Sequence, residues 1–160
     1  MEFKIGDKAV HPAHGVGEVT AIEKKSIAGT DKRFYILKIA DTGMTVMVPT
    51  DGVERLGLRT VISKREAGKV MRELKKDEVA VTSQPWNRRY REYTEMLKSG
   101  SPIEVARVLR DLSRLRSDKE LSFGERRLLE QARNLLVAEL ALAKEVDEAK
   151  VAKDIDKILG

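Results

Sequence analysis

The sequence contains no cysteine, and only two histidines, four prolines and one tryptophan among 160 residues. Lack of cysteine rules out disulfides and thiolate-bound metals and is natural in a reducing cytosol. Long apolar runs are also missing. The richest stretch, Leu135 to Ala143, includes Glu139 and falls far short of the roughly 20 residues a membrane span needs. Met1 to Asp7 has no apolar segment of the signal-peptide type. Neither sign of charge dominates: 31 Lys+Arg oppose 26 Asp+Glu, for a net charge of +5. Such a balance permits a polyanionic partner without demanding one. The expectation is a soluble, cytoplasmic monomer of one domain or two small ones, with no membrane partner.

Catalytic constellations are scarce as well. His11 and His14 lie in His-Pro-Ala-His-Gly, with no third histidine to complete a metal site. Exposed histidines on a loop tip are the expectation, with no metal and no cofactor assigned. Gly15-Val16-Gly17 resembles half of a dinucleotide fingerprint, but the third glycine is missing and a strand follows rather than a helix. Acidic residues of the second half alternate with Lys and Arg, as on solvated helix faces. An enzyme is not expected.

What is present falls into two textures that meet near residue 60. Residues 1–60 read as short strands over 8–11, 16–22, 33–39 and 44–48. Ala28-Gly29-Thr30-Asp31 and Asp41-Thr42-Gly43 serve as hairpin links. Four or five such strands imply an all-β, SH3-like or Tudor-like small barrel. Residues 61–160 read as an all-α, five-helix bundle. Ser63-x-x-Glu66, Ser101-Pro102-Ile103-Glu104 and Ser122-x-x-Glu125 have the form of capping boxes, and further starts lie near Ser83 to Pro85 and near Asp147. Stripes such as Leu128, Ala132, Leu135, Leu136 and Leu140 supply the buried faces.

Charge is unevenly spread over these halves. Residues 1–60 carry nine Lys+Arg and eight Asp+Glu. Between Gln84 and Arg116, eight basic residues, seven of them Arg, face four acids. From Ser117 onward the balance reverses, with eight basic and ten acidic residues. The sequence therefore places its polyanion footprint on the second and third helices of the bundle. A charged, solvated helix surface would give the same count.

The single tryptophan stands in that stretch, in Pro85-Trp86-Asn87-Arg88-Arg89-Tyr90-Arg91. On a helical wheel Trp86, Tyr90, Tyr93 and Leu97 share one face, which reads as core. Its first-turn position beside Arg88, Arg89 and Arg91 reads instead as an exposed apolar plate among phosphate-binding groups. The pattern leaves both readings open.

Several segments together resemble the CarD/CdnL family of bacterial transcription regulators. They are Phe3 to Pro12, His14-Gly15-Val16-Gly17, Met44 to Pro49, Val53 to Arg59, Pro85 to Tyr90, Val108 to Leu112 and Leu121 to Ala132. A similar Tudor-like module occurs in the transcription-repair coupling factor, so the basic helical half makes the distinction. The resemblance implies that residues 1–60 bind the RNA polymerase β subunit and that residues 61–160 bind promoter DNA at the upstream edge of the transcription bubble. It assigns polymerase contacts to Lys25, Leu37, Met47 and Pro49. It makes Trp86 a minor-groove wedge that opposes bubble collapse, with Arg88, Arg89 and Arg91 holding phosphates. Some relatives have Arg where this chain has Lys25 and Met47, which implies a more apolar contact here. The chain would then sit at the nucleoid through polymerase. The alternative is an adaptor whose helical half binds protein rather than DNA.

Overall fold

The computed structural model describes residues 2–78 and 85–160, so the helix start expected at Ser83 lies outside the described residues apart from Pro85. The chain separates into two compact units, Met1–Val61 and Ile62–Gly160.

The first unit is a four-stranded antiparallel meander: β1 (Lys8–His11), β2 (Gly15–Ile27), β3 (Thr30–Ile39) and β4 (Thr45–Pro49), paired in chain order. The sheet fits a Tudor-like domain. Beyond β1's free side, Val10 and Arg59 exchange two backbone hydrogen bonds of 2.7 and 3.1 Å, bringing the end of the unit onto the first strand. Phe3, Val19, Tyr35, Leu37, Ile39, Val48 and Val53 belong to one core.

Two features of the sheet depart from the expected strands. Alternation along β2 breaks at Thr20, because the register shifts between Val19 and Ala21. Val19 opposite Leu37 and Ile22 opposite Tyr35 thus both turn toward the core, which a strict two-residue period forbids. β2 and β3 also run further than expected, as a two-stranded ribbon to the Ile27–Thr30 pair. Residues 23–27 and 30–33 are exposed on both faces, so no apolar alternation announces them. Gly17 is required by close packing: a Cβ there would stand 2.8 Å from Leu37 Cγ and 3.0 Å from the Lys38 carbonyl.

Six helices occur among the described residues where five were expected. The additional one is α1 (Val53–Leu56), a single turn in the first unit that buries Val53. The second unit holds α2 (Lys64–Lys75), α3 (Trp86–Lys98), α4 (Pro102–Asp118), α5 (Phe123–Lys144) and α6 (Glu148–Leu159). Capping explains the starts. Ser63 and Ser122 form reciprocal boxes with Glu66 and Glu125, and the Asp147 side chain accepts from the Lys150 amide at 2.8 Å. The third box is half made. Ser101 accepts from the Glu104 amide, but the Glu104 carboxylate turns to Arg107 at 2.8 Å.

Leu109, Leu112, Leu136, Leu140 and Ile155, each at most 2 % exposed, fill the centre of this unit. Among the described residues no helix is long and apolar enough to cross a membrane.

Candidate functional site

Helix α3 changes character along its length. Tyr93 and Leu97 are each 2 % exposed, Tyr90 is 43 % exposed, and Trp86 is half-buried. The single wheel face therefore divides. Its last two turns are core, while its first turn reaches the surface. Pro85 fixes this start. Its carbonyl accepts from the Arg88 and Arg89 amides at 3.0 and 3.1 Å, and its own missing N–H leaves no donor unmet.

The indole is seated on three sides. Its edge rests on α5, where a Cβ on Gly124 would lie 3.2 Å from Trp86 Cζ2. The Tyr90 ring meets it edge-on, centroids 5.6 Å apart. Above it, the Arg89 guanidinium carbon lies 5.3 Å from the ring centroid, a cation–π contact. Arg89 continues to Glu125, with Nη2 3.6 Å from Oε2. Glu125 is 1 % exposed, and its Oε1 accepts from the Ser122 amide at 2.9 Å and lies 3.4 Å from Lys119 Nζ. Burial alone would raise the Glu125 pKa. The hydrogen bonds with Ser122 and the charge of Lys119 outweigh it and hold the carboxyl below the usual range.

The three arginines around Trp86 thus have different settings. Arg88 and Arg91 are exposed and pair with no acid among the described residues, whereas Arg89 is half-buried between an aromatic ring and a carboxylate. Phe123, the first residue of α5 and 72 % exposed, stands next to Gly124 and adds an apolar side chain at that end of the unit. Sequence reasoning missed Phe123, because at a helix's first position no periodicity marks a residue as inward or outward.

The footprint counted from sequence shrinks further on α4. Arg110 is 1 % exposed and donates from Nη1 to the Glu73 carbonyl at 2.8 Å. Arg107 pairs with Glu73 and Glu104, both at 2.8 Å. Arg114 donates to the carbonyls of Glu78 and Lys76 and pairs with Asp77. These three arginines join α4 to α2 and its continuation rather than facing a ligand. Burial would raise the Glu73 pKa, but the hydrogen bonds and charges of Arg107 and Lys76 hold it at about 2. Lysines gather elsewhere. An open groove of about 590 Å³ is lined by Lys64, Lys75, Lys144 and Lys157, with Asp154, around Met71 and Ile158.

On the first unit, Lys25, Met47 and Pro49 lie on one face of the sheet. Pro49 is opposite Phe34, Met47 opposite Ile36 and Lys25 opposite Lys32, all on the same alternation of β3. Met47 is 41 % exposed and sits on β4, the edge strand. Lys25 is exposed and 3.8 Å from Glu23. Leu37 belongs to the other face and is 0 % exposed, so the structure does not bring its side chain to this surface.

The expected exposed histidine pair is also different in the structure. His14 is exposed, but His11 is 7 % exposed and its Nδ1 accepts from the Ala13 and His14 amides at 3.1 and 3.3 Å. It closes the β1–β2 turn. Burial, and then His14, lowers its pKa, which suits an accepting, neutral ring. No group of three or more His, Asp or Glu suited to a metal occurs among the described residues.

Residues 3–62 match the family model described as CarD-like/TRCF RID domain, and residues 69–156 match the CarD C-terminal domain. The chain belongs to the CarD/CdnL family of transcription regulators. Over 149 residues this CarD/CdnL-family chain is 32% identical to the "Putative transcription factor YdeB" of Bacillus subtilis (strain 168), covering 93% of this chain and 97% of that one. A solved structure, "CdnLNt from Myxoccoccus xanthus", shares 49% identity, covers 39% of this chain and 89% of that chain, and aligns with a TM-score of 0.34.

Proposed function

We propose that this family member docks on the RNA polymerase β subunit through its first unit and stabilises the open promoter complex through its second, with Trp86 as the wedge at the upstream edge of the bubble. The observation that carries the reading is the division of α3. Tyr93 and Leu97 are core, yet Trp86 on the same face is half-buried, beside exposed Arg88 and Arg91. A stacked aromatic is worth roughly 1–3 kcal/mol per base. Unstacking duplex DNA costs a few kcal/mol, but a fork is already open, so the wedge favours open over closed DNA.

In this reading Arg88 and Arg91 contact phosphates, and Arg89 serves Trp86 instead. Two phosphate contacts give weak free-DNA binding, which is sufficient when docking on polymerase supplies a high local concentration. The docking face consists of Met47, Pro49 and Lys25 with Ile36 between the strands, supported from beneath by Leu37. The match of residues 3–62 to the RID model supports this assignment of the first unit.

The deciding experiment measures open-complex lifetime with Trp86→Ala. The expected result is a lifetime shortened by about fivefold or more, with thermal stability lowered by less than the roughly 3–5 kcal/mol of emptying a core aromatic site. An unchanged lifetime overturns the wedge. The adaptor alternative draws on the exposed Tyr90 and Phe123 side chains and predicts an interaction of the second unit that does not weaken with salt.

A further inference from the structure

We propose that Glu125, Arg89 and Gly124 form a seat that fixes the orientation of Trp86, with Glu125 acting as a positioning residue through Arg89. The proposal rests on the wedge reading for its purpose and on contact geometry for its existence.

A wedge must point one way. A tryptophan at the first turn of a helix has few neighbours on its own helix, and freezing a free side chain on binding weakens the contact. Here the order is supplied by the start of a different helix. The reciprocal box of Ser122 and Glu125 fixes the Glu125 carboxylate, with one oxygen taken by the Ser122 amide at 2.9 Å. The other oxygen, Oε2, has no hydrogen-bond partner among the described residues and lies 3.6 Å from Arg89 Nη2. Arg89 is thereby held over the indole at 5.3 Å, although its own Nε finds no acceptor among the described residues. An arginine placed for charge alone would be free to turn that nitrogen to water. Its retention beneath the surface points to the planar guanidinium serving as a lid on the ring.

Gly124 completes the seat at the edge of the ring. Its missing Cβ leaves the space that Trp86 Cζ2 occupies, and a methyl there would sit at 3.2 Å, tighter than ordinary van der Waals contact. Glycine in the first turn of α5 weakens that helix relative to alanine. The position therefore gives up helix propensity for closeness to the indole.

The roles of Glu125 in capping and in positioning are separable. Glutamine at the third helical position also completes a capping box, so Glu125→Gln keeps the start of α5 and removes the charge that holds Arg89, together with the ion pair to the half-exposed Lys119. Gly124→Ala improves helix propensity and displaces the ring. Trp86 is the sole tryptophan, so its emission reports this site alone.

The test uses the full chain and compares wild type, Glu125→Gln, Gly124→Ala, Arg89→Lys and Trp86→Ala. Acrylamide quenching and fluorescence anisotropy of Trp86 are read beside open-complex lifetime on polymerase. Glu125→Gln and Gly124→Ala are expected to increase quenching and lower anisotropy, to leave the melting temperature of the helical unit unchanged or higher for Gly124→Ala, and to shorten the lifetime by about two- to tenfold, as expected for one side chain released from order. Arg89→Lys keeps the charge but not the planar lid, and is expected to match Glu125→Gln. If both Glu125→Gln and Gly124→Ala leave the Trp86 signal unchanged, the seat is refuted whatever polymerase does. If the signal changes and Trp86→Ala shortens the lifetime, but the seat variants do not, positioning is refuted. A lifetime unaffected even by Trp86→Ala refutes the wedge reading instead, and is told apart by that control.

Discussion

The Tyr93 hydroxyl donates to Asp111 Oδ2 at 3.2 Å, and this buried bond marks the depth at which α3 is pinned to α4. Burial, and then the adjoining Asp111 carboxylate, pushes the Tyr93 pKa well above its ordinary value, so the phenol stays protonated and keeps donating. One turn earlier Tyr90 is already exposed, and a further turn back Trp86 rests on another helix rather than on the core. Tyr93→Phe would remove this buried hydrogen bond and is expected to cost about 1 kcal/mol in urea unfolding, with Trp86 emission as the probe.

Salt dependence distinguishes the eight basic residues counted from sequence from the two that the structure leaves free around Trp86. With Arg88 and Arg91 alone on phosphates, log K against log salt is expected to fall with a slope of about −2, compared with about −7 if all eight took part. Arg88→Ala and Arg91→Ala should each reduce the slope by about one. Arg110→Ala should instead destabilise the fold by about 2–5 kcal/mol, since it empties a fully buried site and removes a donor to the Glu73 carbonyl. Titration of a fork-containing DNA at several salt concentrations provides the measurement.

On the first unit, Met47→Glu and Leu37→Ala should fail in different ways. Met47 is exposed, so a charge there is expected to change stability by less than about 0.5 kcal/mol while abolishing capture of the polymerase β subunit. Leu37 is fully buried, and truncation is expected to cost about 2–5 kcal/mol of stability. Pull-down with the full chain, together with denaturation of each variant, separates the two.

Acid should weaken the α2–α4 junction through Glu73. Its folded pKa of about 2 lies below the unfolded 4.5, so its stabilisation is complete above pH 4.5 and is lost as pH falls from there toward 2. Its partners Arg107 and Lys76 are 38% and 50% exposed, so solvent screening reduces the contribution to on the order of 2 kcal/mol. Urea unfolding from pH 7 to pH 3 should show this loss in the wild type and a flatter profile in Glu73→Gln.

The β2–β3 turn contains a local conflict. Ala28 and Gly29 both have positive φ, +53° and +78°, as a two-residue hairpin link requires. Alanine is strained there, and Ala28→Asn is expected to gain about 1 kcal/mol. Urea unfolding followed by circular dichroism checks the gain.

Much of the fold was legible because its signals are local. Ser63, Ser122 and Asp147 cap the helices they announce, and β1 runs over Lys8 to His11 and stops where Pro12 implies. What escaped the sequence depends on distant partners. The phase change at Thr20 follows from pairing with β3, and the burial of Arg110 follows from Glu73, 37 positions away. Composition treats Arg107, Arg110 and Arg114 like Arg88 and Arg91, because charge carries no information about which acid a folded chain brings near. The half-buried setting of Trp86 was not legible, since part of what seats it, Gly124 and Glu125, lies in another helix.

The capping box at the head of α5 leads to one more consequence. Glu125 holds its carboxylate in place only while that first turn is closed, and Gly124 meets the indole only in that same state. Fraying of a helix end and release of the indole are therefore one event seen from two places. By reciprocity, whatever grips Trp86 must also keep the end of α5 shut, so the Glu125 amide should exchange its hydrogen more slowly when the indole is engaged.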